Sequence, residues 1–309
     1  MISIFLPAPL VAVLSFTALL TVMTAHFLAL LPLVMLKAVI PHAGIRLALG
    51  DSVIRIADHW VNTNKILYRL FFPLEWDVDV SGELDRRKSY LLVCNHQSWL
   101  DIMVLFDLMH GKVPFPRFFL KEQLKYVPII GLACWGMDFP FMKRHSKEAI
   151  AANPDLAKED LESTRRACEI FRKRPATVVN FLEGTRFSEA KRVQRQSPYR
   201  NLLRPKAAGM SFALNTMGDQ FAGLIDVTIS YEPTPFAILH SFLRGEQLRV
   251  QVHLNVRPLP QEMLAGDYVH DEAFRQGFQT WVNQLWTQKD GRLDRMQPRP
   301  RPQIYPAAN

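Results

Sequence analysis

Hydrophobic and polar positions divide the chain into three regimes. Residues 1 to 36 contain no Asp, Glu, Lys or Arg. From about 43 to 72, apolar Ile45, Leu49, Val53, Ile56 and Trp60 recur at spacings of three and four, with Arg46, Asp51, Arg55 and Asp58 elsewhere around the helix. From about 75 onward, short apolar runs alternate with longer amphipathic ones. Strands are predicted at Trp76–Val80, Ser89–Cys94, Phe115–Leu120, Met137–Met142, Ala176–Leu182, Leu224–Tyr231 and Leu248–Val256. Helices are predicted at about 98–109, 155–173, 206–217 and 271–288. Strands interleaved with helices imply an α/β fold, a mixed sheet flanked by helices. No internal repeat and no Gly/Ser linker divides residues 75 to 290, which read as one domain.

The uncharged start exceeds the roughly 30 Å of a bilayer's hydrocarbon layer if helical. It fits one tilted span, or a helical hairpin broken near Pro7, Pro9 or Pro32. A cleaved leader is disfavoured, because no basic stretch precedes the run and the run is too long. Residues 1–40 are therefore expected to anchor the chain in a membrane. Lys37, Arg46 and Arg55 follow this segment, which puts the bulk of the chain on the cytoplasmic side of a cell inner membrane. The amphipathic segment 41–74 suits either an interfacial helix on the bilayer or a helix packed on the following domain. Residues 291–309 (GRLDRMQPRPRPQIYPAAN) read as a basic, Pro-rich tail.

Composition narrows the chemistry. There are 37 Lys and Arg against 29 Asp and Glu, a net charge of +8. Without a recognition helix or a stacking pattern, that excess suits lipid headgroups and phosphates better than nucleic acid. Cys94, Cys134 and Cys168 are widely spaced and odd in number, which argues against a disulfide framework or a zinc site.

The sharpest local pattern is NHQSWLD, residues 95 to 101. Within one helix, His96 and Asp101 would stand roughly 140° apart and could not touch. They can meet if His96 lies in the loop after the strand 89–94 and Asp101 in the first turn of the next helix, with Ser98 as N-cap. A carboxylate on one imidazole nitrogen fixes the tautomer and leaves the other nitrogen free to take a proton from an alcohol. With no serine in the arrangement, the nucleophile would be a hydroxyl of the substrate. Taken alone, the pattern more often marks a capping aspartate beside a loop histidine.

A second constellation, Phe181 to Arg186 (FLEGTR), follows the strand candidate ATVVN, at a strand end where α/β sheets commonly bind ligands. Gly184 permits close backbone approach, and Arg186 offers a forked donor suited to phosphate. Between 183 and 206, seven Lys and Arg stand against two Glu, a net +5. Such a run is often only a solvated loop. Beside this strand end it also suits an anionic substrate.

Taken together, NHQSWLD and FLEGTR resemble motifs I and III of the glycerolipid acyltransferases, which include the 1-acylglycerol-3-phosphate acyltransferases. They stand in the family's order, about eighty residues apart, and the resemblance covers roughly residues 75 to 255. Phe119 to Gly131 (FLKEQLKYVPIIG) is similar to the family's linking segment. Met137 to Arg144 (MDFPFMKR) looks like motif II, and Pro205 to Gly209 (PKAAG) matches a segment that recurs after motif III. Leu182 stands where the family usually has Pro, and Ile225 to Tyr231 (IDVTISY) matches motif IV poorly.

The resemblance implies a glycerolipid-acyltransferase-like sheet behind the anchor. It implies His96 as general base and Asp101 as its orienter. Arg144, Glu183, Gly184, Thr185 and Arg186 would bind the acceptor, with Lys121 and Lys206 as further anion contacts. The acceptor would be a lysophospholipid, foremost 1-acylglycerol 3-phosphate, with another lysophospholipid or glycerol phosphate as the alternative, and the donor an acyl-CoA or acyl carrier protein thioester. No cofactor or metal is implied. The rival is a serine hydrolase. Gly209 to Ala213 (GMSFA) is a near miss to its GxSxG turn and opens a helix after a basic loop.

Overall fold

The computed structural model describes residues 5–143, 152–153, 155–232, 238–264, 266–268 and 270–296. Helix α1 (Ala8–Val39) is continuous. Pro7 and Pro9 fall at its start, where a missing N–H has no partner to lose, and Pro32 lies within it without ending it. Its length and composition suffice to cross a membrane. Helix α2 (Ala43–Phe71) folds back along α1, and His26 stacks on His59 at 5.2 Å. The buried stripe of α2 runs through Gly50, Val53, Ala57, Val61 and Asn64, at the spacing of one helix face. Val53 packs with Leu30 and Val34 of α1, whereas Ala57, Val61 and Phe71 join the core beneath the sheet. Helix α2 is thus wedged between α1 and the domain, with Ile66 and Leu70 left on its exposed side.

The central sheet contains β1 (Leu74–Ser81), β2 (Ser89–Cys94), β3 (Pro116–Phe118), β6 (Thr177–Phe181), β7 (Phe221–Tyr231) and β8 (Leu248–Arg257). Their order is β1-β8-β7-β2-β6-β3. Only β7 and β8 run antiparallel; the other neighbours are parallel. Strand β2 is buried along its whole length because both sheet faces are covered. Tyr90, Leu92 and Cys94 point into one core with α2 and α3 (Leu100–Met109). Leu91 and Val93 point into the other. That second core is closed by α7 (Ala208–Met217) and α9 (Glu272–Met296).

Several expected boundaries shift. The apolar run 115–120 splits into β3 and a short β4 (Leu120–Lys121), which pairs with β5 (Phe141–Met142) in a separate two-stranded sheet. Only that last pair of the expected strand Met137–Met142 is extended. Helix α4 (Ile130–Gly136) runs up to Met137, and Asp138 turns left-handed at φ 60°. Helix α5 (Asp155–Cys168) ends in a 3₁₀ turn (Glu169–Lys173). Two short helices, α6 (Glu189–Gln194) and α8 (Ile238–Leu243), complete the description.

The expected tail beginning at 291 is corrected as well, because α9 continues to Met296. Packing holds the extension: Leu293 is buried, and Arg292 Nη1 donates to Thr228 Oγ1 at 3.1 Å. One turn earlier, fully buried Lys289 donates from Nζ to Asp226 Oδ1 and to the Val227 carbonyl of β7. Arg257 reaches the other Asp226 oxygen at 3.2 Å. Burial pushes the Asp226 carboxyl up, but Lys289, Arg257 and Arg292 outweigh it and hold the group below its ordinary range. Residues 297–309 lie outside the described residues.

Candidate active site

Strand β2 ends at Cys94 and the chain turns through Asn95 and His96 into α3. Asn95 clips this loop to β7, donating from Nδ2 to the Ile229 carbonyl at 2.8 Å and accepting from Ile229 N at 2.9 Å. The geometry anticipated from the spacing is present: His96 Nδ1 and Asp101 Oδ2 are 2.8 Å apart. An ionised carboxylate can only accept, so Nδ1 carries the proton and Nε2 is the free base. Asp101 Oδ2 also accepts from Gln97 N at 2.6 Å and Ser98 N at 2.9 Å, while Oδ1 accepts from Tyr231 Oη at 2.7 Å. Asp101 is fully buried with both oxygens engaged. It opens helix α3 and orients His96 at the same time. Phe181 stacks on the imidazole at 4.1 Å between ring centres, fixing its plane.

The turn after β6 lies beside this pair. Gly184 adopts φ 68°, a conformation glycine enters freely. Arg186 is exposed and its guanidinium lies 4.9 Å over the Trp99 ring, which bridges the two motifs. Thr185 Oγ1 accepts from Lys191 Nζ at 3.0 Å, and the same ammonium donates to the Arg186 carbonyl at 2.9 Å. The Lys206 side chain passes close over Gly184, where an added Cβ would stand 3.4 Å from its Nζ. Four cationic or hydroxyl groups thus gather along the turn after β6. Lys121 is exposed on β4, and Arg144 lies outside the described residues.

Glu183 departs from the expected substrate contact. It is fully buried, and its two oxygens accept from His96 N at 3.0 Å and Leu203 N at 2.9 Å. Glu183 therefore ties the His96 loop to the loop carrying Leu203, with both oxygens occupied by the protein itself. Burial raises its carboxyl to about 7 from 4.5, against the opposing pull of those two N–H donors. Folding favours its protonated form. Its contribution to stability is complete below the unfolded value of 4.5 and lost as pH rises through about 7. The span is on the order of 3 kcal/mol. Melting curves across this window should slope downward with pH in the native protein and flatten in Glu183→Gln, which cannot ionise. Equal slopes would contradict the assignment.

Tyr231 and Asn95 are partners that the sequence does not single out. The Cys94 thiol, buried beneath the loop, is pushed well above its ordinary range by burial, so it is no nucleophile. Ser98 Oγ accepts from Leu100 N at 3.2 Å, one residue before the N-cap position of α3, which Trp99 occupies instead of the expected Ser98. Ser211 of the near-miss GxSxG is buried inside α7, far from a strand-to-helix elbow. Among the described residues, no three His, Cys, Asp or Glu side chains converge as metal ligands.

The Acyltransferase family profile matches residues 77–232. A 1-acyl-sn-glycerol-3-phosphate acyltransferase 2 of Arabidopsis thaliana is 28% identical over 226 residues, covering 68% of this chain and 52% of its own length. A 2-acyl-1-lysophosphatidylinositol acyltransferase of Saccharomyces cerevisiae is 23% identical over 256 residues, covering 68% and 62%. The lysocardiolipin acyltransferase 1 of Danio rerio is 24% identical over 253 residues, covering 78% and 61%. The chain thus spans only about half to three-fifths of the length of these curated relatives. A crystal structure of the 1-acyl-sn-glycerophosphate acyltransferase of Thermotoga maritima superposes with a TM-score of 0.47 at 16% identity, covering 90% of this chain and 98% of that one. With its family profile spanning both the His96–Asp101 loop and the Glu183–Arg186 turn, the chain belongs to the acyltransferase family.

Proposed function

We propose that the protein transfers a fatty acyl group from an acyl thioester to the free hydroxyl of a lysophospholipid, foremost 1-acylglycerol 3-phosphate. The observation that carries this reading is a tautomer-fixed His96 with, among the described residues, no protein nucleophile on its free nitrogen, beside the cationic Arg186 turn. His96 Nε2 takes the proton of the acceptor hydroxyl as its oxygen attacks the thioester carbonyl. The tetrahedral intermediate then collapses, the C–S bond breaks, and His96 returns the proton to the departing thiolate. Arg186, Thr185 and Lys206, with Arg144 by resemblance, hold the acceptor phosphate. Holding both reactants at the base removes barrier, about 7–11 kcal/mol for well-oriented partners. The names of the similar proteins carry different headgroups but share a glycerophosphate, which is the part a cationic turn recognises.

The reaction takes place at a membrane. Helix α1 supplies the anchor, and Arg46 and Arg55 after it support a cytoplasmic placement at an inner membrane. CoA or acyl carrier protein carries the acyl group. A radiolabelled transfer assay with a panel of lysophospholipids and both donors tests the reading. Acyl transfer to none of them would overturn it. Within that assay, Arg186→Ala should raise KM for the acceptor about tenfold or more while kcat falls less, since the lost contact holds substrate and transition state alike. A fall confined to kcat would remove Arg186 from phosphate binding.

A further inference from the structure

The chain leaving β3 emerges at the carboxyl edge of the parallel strands, the edge that also carries His96 and the Glu183–Arg186 turn. There, residues 124–130 present apolar side chains to solvent. Tyr126 is 78% exposed and Ile130 55%, with Leu124, Val127 and Ile129 also exposed. The display is built into the backbone. Ile129 sits at φ 66°, ψ −63°, while Ile130 N donates to the Pro128 carbonyl at 2.7 Å, a γ-turn of the rare, strained hand. A β-branched residue at positive φ is an outlier that surrounding structure must enforce. Gly131 permits the close backbone approach beside it, because an added Cβ would lie 2.3 Å from the Lys125 carbonyl oxygen. Val127 N and Gly131 N bond within the loop, to the Leu124 and Val127 carbonyls. The loop is therefore closed on itself by three backbone hydrogen bonds, with its apolar side chains turned to solvent. Loops meant for water carry polar residues at such positions.

What covers this patch follows from its attachment. Helix α4, which continues the loop, is fastened to the end of α1. An added Cβ on Gly136 would meet Val34 Cγ2 at 2.5 Å, and Lys37 Nζ donates to the Gly136 carbonyl at 2.8 Å and to Asp138 Oδ1 at 2.6 Å. The surface that receives α1 is thus continuous with the surface that reaches the loop. Exposed Lys121 and Lys125 beside the patch suit anionic headgroups.

We propose that residues 124–130 are a second membrane contact, seated at the boundary between headgroups and acyl chains beside α1, which faces the His96 edge of the sheet toward the bilayer. This rests on the membrane reading given under Proposed function. The test uses the full chain bound to phosphatidylglycerol–phosphatidylethanolamine vesicles, with photoreactive benzoylphenylalanine replacing one residue at a time: Tyr126, Ile130, Phe16 in α1, or Val193, which is 63% exposed on α6. Lipid adducts are expected at Phe16, Tyr126 and Ile130 and not at Val193. Adducts at Phe16 alone would overturn the second contact and leave the anchor standing. Absence of adducts at Phe16 would overturn the membrane reading and this inference with it. Crosslinks from Tyr126 to a second copy of the chain would make the patch a protein interface, and the proposal would fall. In a functional arm, Tyr126→Asp with Ile130→Asp should lower transfer to a long-chain acceptor held in vesicles about tenfold, while a short-chain acceptor free in solution is used at an unchanged rate. Equal loss on both acceptors would overturn the proposal.

Discussion

Acyl transfer by the His96→Ala protein is expected to fall by about 10²–10⁴-fold, the range for losing a positioned general base. Vesicle binding and melting temperature should stay close to those of the native protein, because the imidazole contributes to the site and little to the core. Asp101→Asn is expected to fall comparably in rate, about 10⁴-fold where a triad aspartate is replaced in this way, and to differ in stability. Asp101 accepts four hydrogen bonds, from His96, Gln97, Ser98 and Tyr231. An amide turned toward any one of these donors opposes N–H to N–H or O–H, so the start of α3 should loosen. Kinetics and thermal melting on the same two variants separate the roles. If His96→Ala retained more than a tenth of native kcat, another group would be taking the hydroxyl proton.

The second large effect lies far from the substrate. Lys289→Met keeps the aliphatic stem but leaves Asp226 buried without its nearest counter-charge. Stranding one member of a buried pair typically costs about 3–5 kcal/mol. Arg257 and Arg292, at 3.2 and 3.7 Å, provide residual neutralisation and place the expectation toward the lower end of that range. At about 2–4 °C per kcal/mol, the melting temperature should drop by roughly 6–12 °C. Asp226→Asn in the same chain should restore part of it. An unchanged melting temperature in Lys289→Met would show that the ion pair contributes nothing net.

Much of the site was legible because its chemistry is local. His96 and Asp101 are five residues apart, and the change from strand β2 to helix α3 is written in the apolar run 89–94 and the polar Ser98 that accepts from Leu100 N at the start of the helix. The Glu183–Arg186 turn is likewise marked by its strand and by Gly184. What escaped is set by partners distant in sequence. Tyr231 reaches Asp101 because β7 pairs with β2 at Cys94↔Val227 and then runs four residues further. No spacing within one segment encodes that register. Glu183 reads as a ligand contact at a strand end, yet its acceptors are filled by N–H groups of two separate loops. Helix α4 is seven residues long and takes a glycine near each end, too short and too permissive for periodicity to register. Gly291 similarly disguises the continuation of α9, whose persistence comes from Arg292 and Leu293 finding partners on β7 and in the core.

The Lys289–Asp226 pair also imposes an order on synthesis. Asp226 is made 63 residues before the lysine that neutralises it, and β7 carries both the Ile229 clip on Asn95 and the Tyr231 hydroxyl on Asp101. At about 5–20 residues per second, α1 leaves the ribosome many seconds before the strand that steadies the base receives its counter-ion. The nascent chain is therefore an immature enzyme until α9 has been released, when the strand behind its histidine gains the counter-ion.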